Sequence, residues 1–335
     1  MRDVQGRMGR LRAIVAFAIL LAAPISAHAD ALDDAARARA AFAAAKTPRD
    51  REDAQYEQAI ALYHARLYAV AYALFSEIAS HPTHAHFDGA LPWLARLAVD
   101  LPEPADVAER VGKYDEAAIG AVDPSLRTRL FYLLGRYRDR NHQYEDARRA
   151  YARVEAASPW YPKARFLMGV VAVKLRRPAE AIAAFQDVVD ATQDDEDYDR
   201  IKNLALLSIA RTYYSTAVRI DAHGAAVTDR ALLAKALAFW NAVDVGDQSW
   251  QDVLVESSWA LFLTGDHTRA LGNLHMLAMM SPRWESPEAD ELRATIHLAS
   301  CRYDDVATLA ARSLARRRPV ATELRDLVAK TSRED

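Results

Sequence analysis

The sequence feature that most restricts the fold of this 335-residue chain is an internal repeat with a period of 34 residues. Two copies lie in register, and small, small and aromatic residues occupy the same places in each: Gly135, Ala147 and Tyr151, then Gly169, Ala181 and Phe185. A repeat of this length holds two antiparallel helices of about 12 to 15 residues and a short turn. One such pair buries its apolar face only by stacking on the next pair, so the period predicts a helical stack.

The small residues have a physical reason in such a stack. The glycine of each copy falls on the first helix and the alanine on the second, where the two backbones approach each other. A larger side chain at either place would overpack the crossing. The aromatic residue follows the alanine one helical turn later, and we expect it to fill the gap to the next repeat. Pro159 then ends the second helix of the first copy, because proline lacks an N–H group and clashes with the preceding turn.

The spacing of these residues resembles the signature of the tetratricopeptide repeat. Leu134–Gly135, Ala147, Tyr151 and Pro159 occupy its places in one copy, whereas Gln193 stands where the next copy would carry its final proline. Four weaker copies flank these two. An earlier copy has Tyr68, Ala71, Phe75, Ile78 and Pro82, and a split copy has Ala210 and Tyr213, then an excess of 14 residues, then Ala236, Trp240 and Val243. A later copy has Gly265, Asp266, Ala270, Leu274, Leu277 and Pro282, and the last one has Tyr303, Val306 and Ala310. The resemblance implies an all-α, right-handed superhelical solenoid of antiparallel helix pairs, similar to exported bacterial members of the family.

The repeats are expected over residues 51–318, with an irregular helical section at 90–125 that contains four prolines. Residues 30–50 are expected to be helical or flexible, and residues 319–335 to form a C-terminal capping helix and tail. The chain has only 11 glycines and is rich in alanine, leucine and arginine, which are good helix formers. A formal net charge of −3 excludes a strongly basic nucleic-acid binder.

Residues 1–29 have the parts of a secretory signal peptide. Four arginines stand at the basic start, an uncharged apolar run extends from Ala13 to Ala23, and the small residues Ser26–Ala29 follow. The apolar run is shorter than the roughly 20 residues that span a bilayer. We expect cleavage after Ala29, which removes four arginines and one aspartate and changes the net charge from −3 to −6. The mature chain is expected in the periplasm of a Gram-negative bacterium, without stable membrane insertion.

The sequence contains no G-x-S-x-G elbow, no P-loop and no G-x-G-x-x-G motif. The three histidines of His81–His86 are the best metal candidates, but their spacing matches no zinc motif and favours a solvated loop. The acidic run Asp194–Asp197 lacks the glycine of a calcium loop and is interpreted as a solvated turn. Cys301 is the only cysteine, so no intrachain disulfide can form. We therefore predict no catalytic residue, no metal site and no cofactor.

In tetratricopeptide stacks the first helix of each repeat lines a concave groove that binds an extended peptide or a partner's helix, and the resemblance implies the same here. The expected groove residues are Arg129, Tyr132, Arg136, Arg140, Lys163, Phe166, Lys174, Arg211, Tyr214, Trp259 and Phe262. They are basic and aromatic, which favours an acidic segment of a protein partner. In the alternative interpretation these cations are solvated or pair with acids of the neighbouring helix. The family's carboxylate clamp needs Asn and Lys where Tyr132 and Phe166 stand, so a chaperone-tail clamp is not expected.

Together these features predict a non-catalytic scaffold or adaptor that holds a protein partner of an envelope assembly in its concave groove. The alternative is an accessory protein that binds or exports an envelope polysaccharide or peptidoglycan, with exposed Trp and Tyr side chains contacting the polymer. Neither hypothesis includes a nucleic-acid partner.

Overall fold

A computed structural model describes residues 30–101, 106–193, 195–220, 226–280 and 286–331. The predicted signal peptide, Asp194 and Pro282 lie outside these described residues. The chain divides into two compact units, Met1–Ala164 and Arg165–Asp335, which are referred to below as unit 1 and unit 2. No helix within the described ranges is both long enough and apolar enough to cross a membrane.

Unit 1 is built from helices that pack mainly on their neighbours in sequence. They are α1 (residues 30–44), α2 (Pro48–His64), α3 (Tyr68–Ile78), α4 (Phe87–Asp100), α5 (Val107–Val111), α6 (Glu116–Ala121), α7 (Pro124–Arg140) and α8 (Tyr144–Ala152). The section predicted to be irregular, residues 90–125, holds most of α4 and the two shortest helices, α5 and α6. Helix α2 begins with a side-chain cap, because Thr47 Oγ1 accepts a hydrogen bond of 3.1 Å from the Asp50 amide.

The second set of helices belongs to unit 2, apart from the first turn of α9, which precedes the unit boundary. The elements are α9 (Tyr161–Lys174), α10 (Pro178–Ala191), a short 3-10 turn (Glu196–Tyr198), α11 (Asp199–Ala217), β1 (Val218–Ile220), β2 (Ala226–Thr228), α12 (Arg230–Trp240), α13 (Trp250–Thr264), α14 (His267–Met280), α15 (Pro287–Ala299) and α16 (Tyr303–Thr331). Helices α11 and α12, α13 and α14, and α15 and α16 pack as consecutive pairs. The expected all-α fold is confirmed, with one small hairpin added.

In the described part of the chain, five turns between paired helices close in the same way, through a residue in the left-handed conformation. These residues have φ angles between 57° and 88°, and they are Arg66, His142, Arg176, Gly265 and Cys301. The amide after each of them donates to the carbonyl five residues earlier, as Arg177 does to Ala172 at 2.9 Å. This pattern satisfies carbonyls that the end of a helix leaves unpaired. Four of the five residues are not glycine and therefore carry a steric cost in this conformation.

The glycines of the central repeats lie where an aromatic ring of the second helix presses on the first. A Cβ atom on Gly135 would lie 2.5 Å from Cδ1 of Tyr151, and one on Gly169 would lie 2.5 Å from Cε1 of Phe185. Both rings are 1% exposed, so they have no free space to retreat into. Each ring therefore packs on the glycine of its own repeat, and not simply in the gap to the next repeat, as the sequence had suggested.

The other signature residues occupy comparable places. Ala147, Ala181 and Ala270 are fully buried on the second helix of their pairs. The prediction that Pro159 ends the second helix of the first copy is wrong, because α8 ends at Ala152 and Pro159 lies exposed in the segment before α9. A further glycine with the same role was not recognised in the sequence. A Cβ atom on Gly112, at the end of α5, would clash with the ring of Tyr137 on α7. This contact ties the irregular section to the first central repeat.

The excess of residues after Tyr213 forms a β-hairpin between the two helices of one pair. Strand β1 pairs with β2 in antiparallel fashion, with Val218 opposite Thr228 and Ile220 opposite Ala226. The amide of Asp229 donates to the Ala217 carbonyl at 2.9 Å, which closes the base of the hairpin. Because the chain returns to the end of α11, the helix pair is preserved, and Trp240 of α12 is 1% exposed in the core that the pair shares.

The C-terminal boundary expected at residue 319 is wrong. One continuous helix, α16, extends over 29 residues from Tyr303 to Thr331, and Pro319 lies inside it. The helix therefore combines the last repeat residues and the expected capping segment. None of the residues of α16 is buried.

Candidate functional site

The groove residues predicted in unit 1 lie on α7 and at the start of α9, and most of them have partners inside the unit. Tyr132 is only 7% exposed, and its ring lies 5.0 Å from that of Trp160. The prediction that Tyr132 faces a partner is therefore wrong, because its ring is part of the packing between neighbouring helices. Arg140 forms an ion pair of 3.5 Å with Glu109 of α5. Arg136 is half-buried on the same helix.

Two cations of unit 1 flank a single indole ring. The Arg129 guanidinium lies 5.3 Å from the centre of the Trp160 ring, and Lys163 Nζ lies at the same distance. Arg129 Nη1 also donates to the Ala95 carbonyl at 2.6 Å, and burial lowers the pKa of its guanidinium. Arg129 is therefore a packing residue as much as a surface charge, whereas Lys163 remains exposed.

In unit 2 the predicted groove residues spread over three helices. Phe166 packs on Phe185, with ring centres 5.4 Å apart, and Tyr214 packs on Trp240 at 5.8 Å. Burial raises the pKa of the Tyr214 hydroxyl. Trp259 Nε1 donates to Glu288 at 2.9 Å. The remaining members are the exposed Lys174 of α9 and the half-buried Phe262, whose ring lies 6.3 Å from that of Trp259.

The positive charge of Arg211, in the predicted groove, is neutralised by acidic residues of a neighbouring helix. Arg211 Nε and Nη2 donate to both carboxylate oxygens of Glu256, at distances from 2.5 to 3.0 Å, and Nη2 also reaches Asp252 at 3.4 Å. Hydrogen bonding to Glu256 raises the pKa of Arg211. Arg211 and Arg140 therefore follow the alternative interpretation, in which the cations pair with acids of a neighbouring helix.

Helices α9, α10 and α11 enclose a cavity of about 590 Å³ that opens at the surface of unit 2. Its apolar lining comes from Val170, Val173, Pro178 and Phe185, and Val173 is 49% exposed. Its basic lining comes from Arg211 and from two residues of the turn between α9 and α10. Those two residues are Arg176, which is exposed, and Arg177.

The opposite wall of the cavity carries hydroxyl groups from α11. They belong to Ser208, Thr212, Ser215 and Thr216. Each of them donates its hydrogen within the helix, as Thr212 does to the Ser208 carbonyl at 2.7 Å and Thr216 to the Thr212 carbonyl at 2.8 Å. Arg211 is held by Glu256, and Arg177 lies 3.8 Å from Glu180. Among the described lining residues, the charged donor left for an occupant is therefore the guanidinium of Arg176 at the rim.

Sequence reasoning found Arg211 of this cavity and missed the rest of its lining. The sequence signal was present in part: Val173 lies at the end of the first helix of a central repeat, and Arg176 and Arg177 lie in the basic turn that follows it.

The three histidines of the His81–His86 loop have separate partners. His86 Nε2 lies 2.7 Å from Asp53 Oδ1, and its ring stacks on that of Tyr56 with centres 4.3 Å apart. His84 Nδ1 accepts a hydrogen bond of 3.0 Å from the His86 amide, and burial lowers the pKa of His84. Within the described residues no group of three or more His, Cys, Asp or Glu side chains could hold a metal ion. Cys301 is exposed in its turn between α15 and α16.

Residues 132–196 match the family model of the tetratricopeptide repeat. Among solved structures, a signal transduction ATPase with a tetratricopeptide repeat sensor from Pyrococcus horikoshii has a TM-score of 0.50 at 12% identity, over 82% of this chain and 44% of that one. This chain thus spans less than half of that protein, and the likeness shows the fold alone. No curated protein matches the chain significantly.

Two further structures have lower TM-scores. The C-terminal part of a repeat-containing protein from Cytophaga hutchinsonii scores 0.47 at 11% identity, over 78% of this chain and 94% of that one. PilF of Pseudomonas aeruginosa scores 0.43 at 16% identity, over 74% and 100%. The family match falls on the two repeats that the sequence analysis identified first, and these repeats indicate a scaffold for protein–protein interaction. Residues 132–196 of this chain are therefore identified as tetratricopeptide repeats.

Proposed function

We propose that this protein is a non-catalytic scaffold that binds an acidic, partly apolar segment of a protein partner in the cavity between α9, α10 and α11. The observation that carries the proposal is the combination of an apolar floor and a basic rim in one cavity of about 590 Å³. A volume of this size accepts one or two side chains of a peptide. The cavity lies between the second of the two matched repeats and the helix α11 that follows it.

The chemistry of the lining selects the occupant. An aliphatic or aromatic side chain would remove Val173 and Val170 from water, which is favourable because apolar area is buried. A carboxylate next to it would meet Arg176, which has no ion pair with any residue that the structure describes. Arg211 is a weaker attractor, since Glu256 and Asp252 already neutralise its charge. Arg176 is therefore the residue that confers preference for an acidic segment.

The proposal includes the periplasm as the compartment and an envelope assembly as the process. Its support is the pattern of residues 1–29, with a basic start, an apolar run and small residues before Asp30. The chain with its first 29 residues would be expressed in a Gram-negative host, and its N-terminus determined after fractionation. We expect a chain that begins at Asp30 in the periplasmic fraction. A chain that retains Met1 in the cytoplasmic fraction would contradict this part of the proposal.

The binding site is tested by site-specific photo-crosslinking. A photoreactive amino acid at Val173 should crosslink to a partner in envelope extract, and the same residue at the exposed Ala183 of α10, outside the cavity lining, is the matched control. The crosslinked segment is identified by mass spectrometry and synthesised as a peptide. We expect an acidic peptide with at least one large apolar residue. Equal crosslinking from both positions would refute the cavity as the site.

The role of charge is tested with that peptide. Arg176→Glu should weaken its binding about tenfold, which corresponds to about 1.4 kcal/mol. Arg200→Glu, an equal change of charge at an exposed position of α11 outside the cavity, should have little effect. If Arg176→Glu does not change the affinity for the peptide, the proposal that Arg176 confers a preference for an acidic segment is refuted, and only the apolar contacts remain as the basis of binding.

A further inference from the structure

The C-terminal helix α16 continues well beyond the helix on which it packs. Helix α15 has 13 residues and α16 has 29, which correspond to lengths of about 20 Å and 44 Å. The first turn of α15 meets the middle of α16, where Arg317 Nη2 lies 2.8 Å and Arg316 Nη2 3.4 Å from Asp290 Oδ2. Beyond this point every residue from Arg318 to Thr331 is exposed.

The face of α16 that packs in its first half, residues 303–317, continues as apolar side chains in its exposed half, residues 318–331. In the packed half, the half-buried residues other than Asp305 recur at helical spacing, at Val306, Leu309, Ser313 and Arg317. The same spacing continues with Val320, Leu324 and Leu327, whose exposed fractions are 54%, 56% and 62%. An apolar stripe that continues past the end of its partner helix leaves large side chains in water, which is unfavourable unless another surface covers them.

The charges beside this stripe favour a second copy of the same helix in antiparallel orientation. When Leu324 of one copy packs on Leu327 of the other, Glu323 of each copy lies beside Lys330 of its partner, because both residues flank the stripe on the same side. Neither Glu323 nor Lys330 has an ion-pair partner in the part of the chain that the structure describes. A parallel pair would instead bring the two Arg317 side chains together at the stripe.

From these contacts we infer that the protein forms a homodimer through residues 318–331 of α16, paired in antiparallel orientation with the same segment of a second copy. The inference is independent of the cavity in unit 2 and of its occupant. The paired segment is short, so the dimer is weak, with a dissociation constant on the order of micromolar. Two copies of the scaffold would then present two partner sites in one assembly.

The test measures molar mass by sedimentation equilibrium from about 1 to 200 µM. We expect the purified chain to reach twice its monomer mass with rising concentration. The double variant Leu324→Glu/Leu327→Glu should remain monomeric, while Thr322→Glu/Ala329→Glu, on the opposite face of the helix, should dimerise as the parent does. Circular dichroism checks that each variant keeps its helix content.

A charge exchange tests the orientation without disturbing the stripe. Glu323→Lys alone and Lys330→Glu alone should each weaken self-association, because like charges then face each other across the pair. A mixture of the two single variants should form a heterodimer, since every contact then joins opposite charges. The double exchange Glu323→Lys/Lys330→Glu should restore the homodimer.

Three outcomes would overturn the inference. The first is a parent chain that stays monomeric at about 200 µM. The second is a dimer that survives Leu324→Glu/Leu327→Glu, which would place the contact elsewhere. The third is a monomer that co-sediments with phosphatidylglycerol vesicles through the same leucines, which would show that the stripe binds a membrane surface instead.

Discussion

Replacement of Gly135 by alanine tests whether the ring contact, and not helix propensity, explains glycine at this crossing. The new Cβ would lie 2.5 Å from Cδ1 of Tyr151, whereas an ordinary contact needs at least 3.4 Å. The ring or the helix must therefore move by about 1 Å, although Tyr151 is only 1% exposed. Overpacking of this kind costs about 1–3 kcal/mol, and the better helix propensity of alanine returns about 1 kcal/mol.

We expect Gly135→Ala to lower the free energy of unfolding by about 1 kcal/mol. The matched control is Gly272→Ala on α14, where a Cβ would have no neighbour within 4 Å. The control removes the same backbone freedom from the unfolded chain, so it should raise the free energy of unfolding by about 1 kcal/mol. The same glycine-to-alanine substitution should therefore lower the free energy of unfolding at position 135 and raise it at position 272.

Urea denaturation followed by circular dichroism measures both variants. Because repeat proteins can unfold in parts, hydrogen exchange of the α7 amides shows whether the loss is local to the altered pair. A double-mutant cycle with Tyr151→Leu measures whether the cost of the added Cβ depends on the tyrosine ring. Leucine is chosen because the pair α13–α14 has Ser258 where the glycine would stand and Leu274 where the ring would stand, and both are buried. Gly135→Ala with a stability equal to or above the parent would refute the close-packing explanation.

Three further changes have expected outcomes. Tyr151→Phe should raise the free energy of unfolding by about 1 kcal/mol in urea denaturation, because the Tyr151 hydroxyl is buried without a hydrogen-bond partner among the described residues, and phenylalanine already stands at the equivalent position 185; a loss of stability would show an unrecognised bond. Cys301→Gly should raise the melting temperature, since it relieves about 1 kcal/mol of left-handed strain at φ 58° in an exposed turn; an unchanged or lower melting temperature would contradict this. Burial lowers the pKa of His84 in the folded state, so the unfolded chain binds this proton more readily and stability should fall as pH drops below about 6.5. His84→Gln should flatten that part of the stability–pH curve, and an identical slope would exclude His84 as its origin.

The candidate site was only partly predictable from the sequence. The sequence placed Tyr132 and Arg211 on one helix face of their repeats, and helical periodicity is enough for that step. It could not decide that Tyr132 packs on Trp160 or that Arg211 is held by Glu256, because these partners are 28 and 45 residues away along the chain. Charge pairing between helices depends on how neighbouring repeats are rotated, which no local pattern records.

The sequence alone determined the repeat, its helical character and the positions of its small residues. These are local properties: a period of 34 residues, good helix formers, and small residues where two helices cross. Only the tertiary structure showed that the glycine of each central repeat receives the aromatic ring of its own second helix. The 14-residue excess after Tyr213 was also visible in the sequence, but only the tertiary structure showed that it folds into a hairpin that returns to the end of α11.

Tertiary structure alone decided which cations are neutralised, where the cavity opens and how far α16 extends past α15. Each of these depends on contacts between segments that are distant in sequence, and their energies appear only after the helices have stacked. For this reason the fold follows from residues that repeat, whereas the binding surface follows from residues that differ from one repeat to the next.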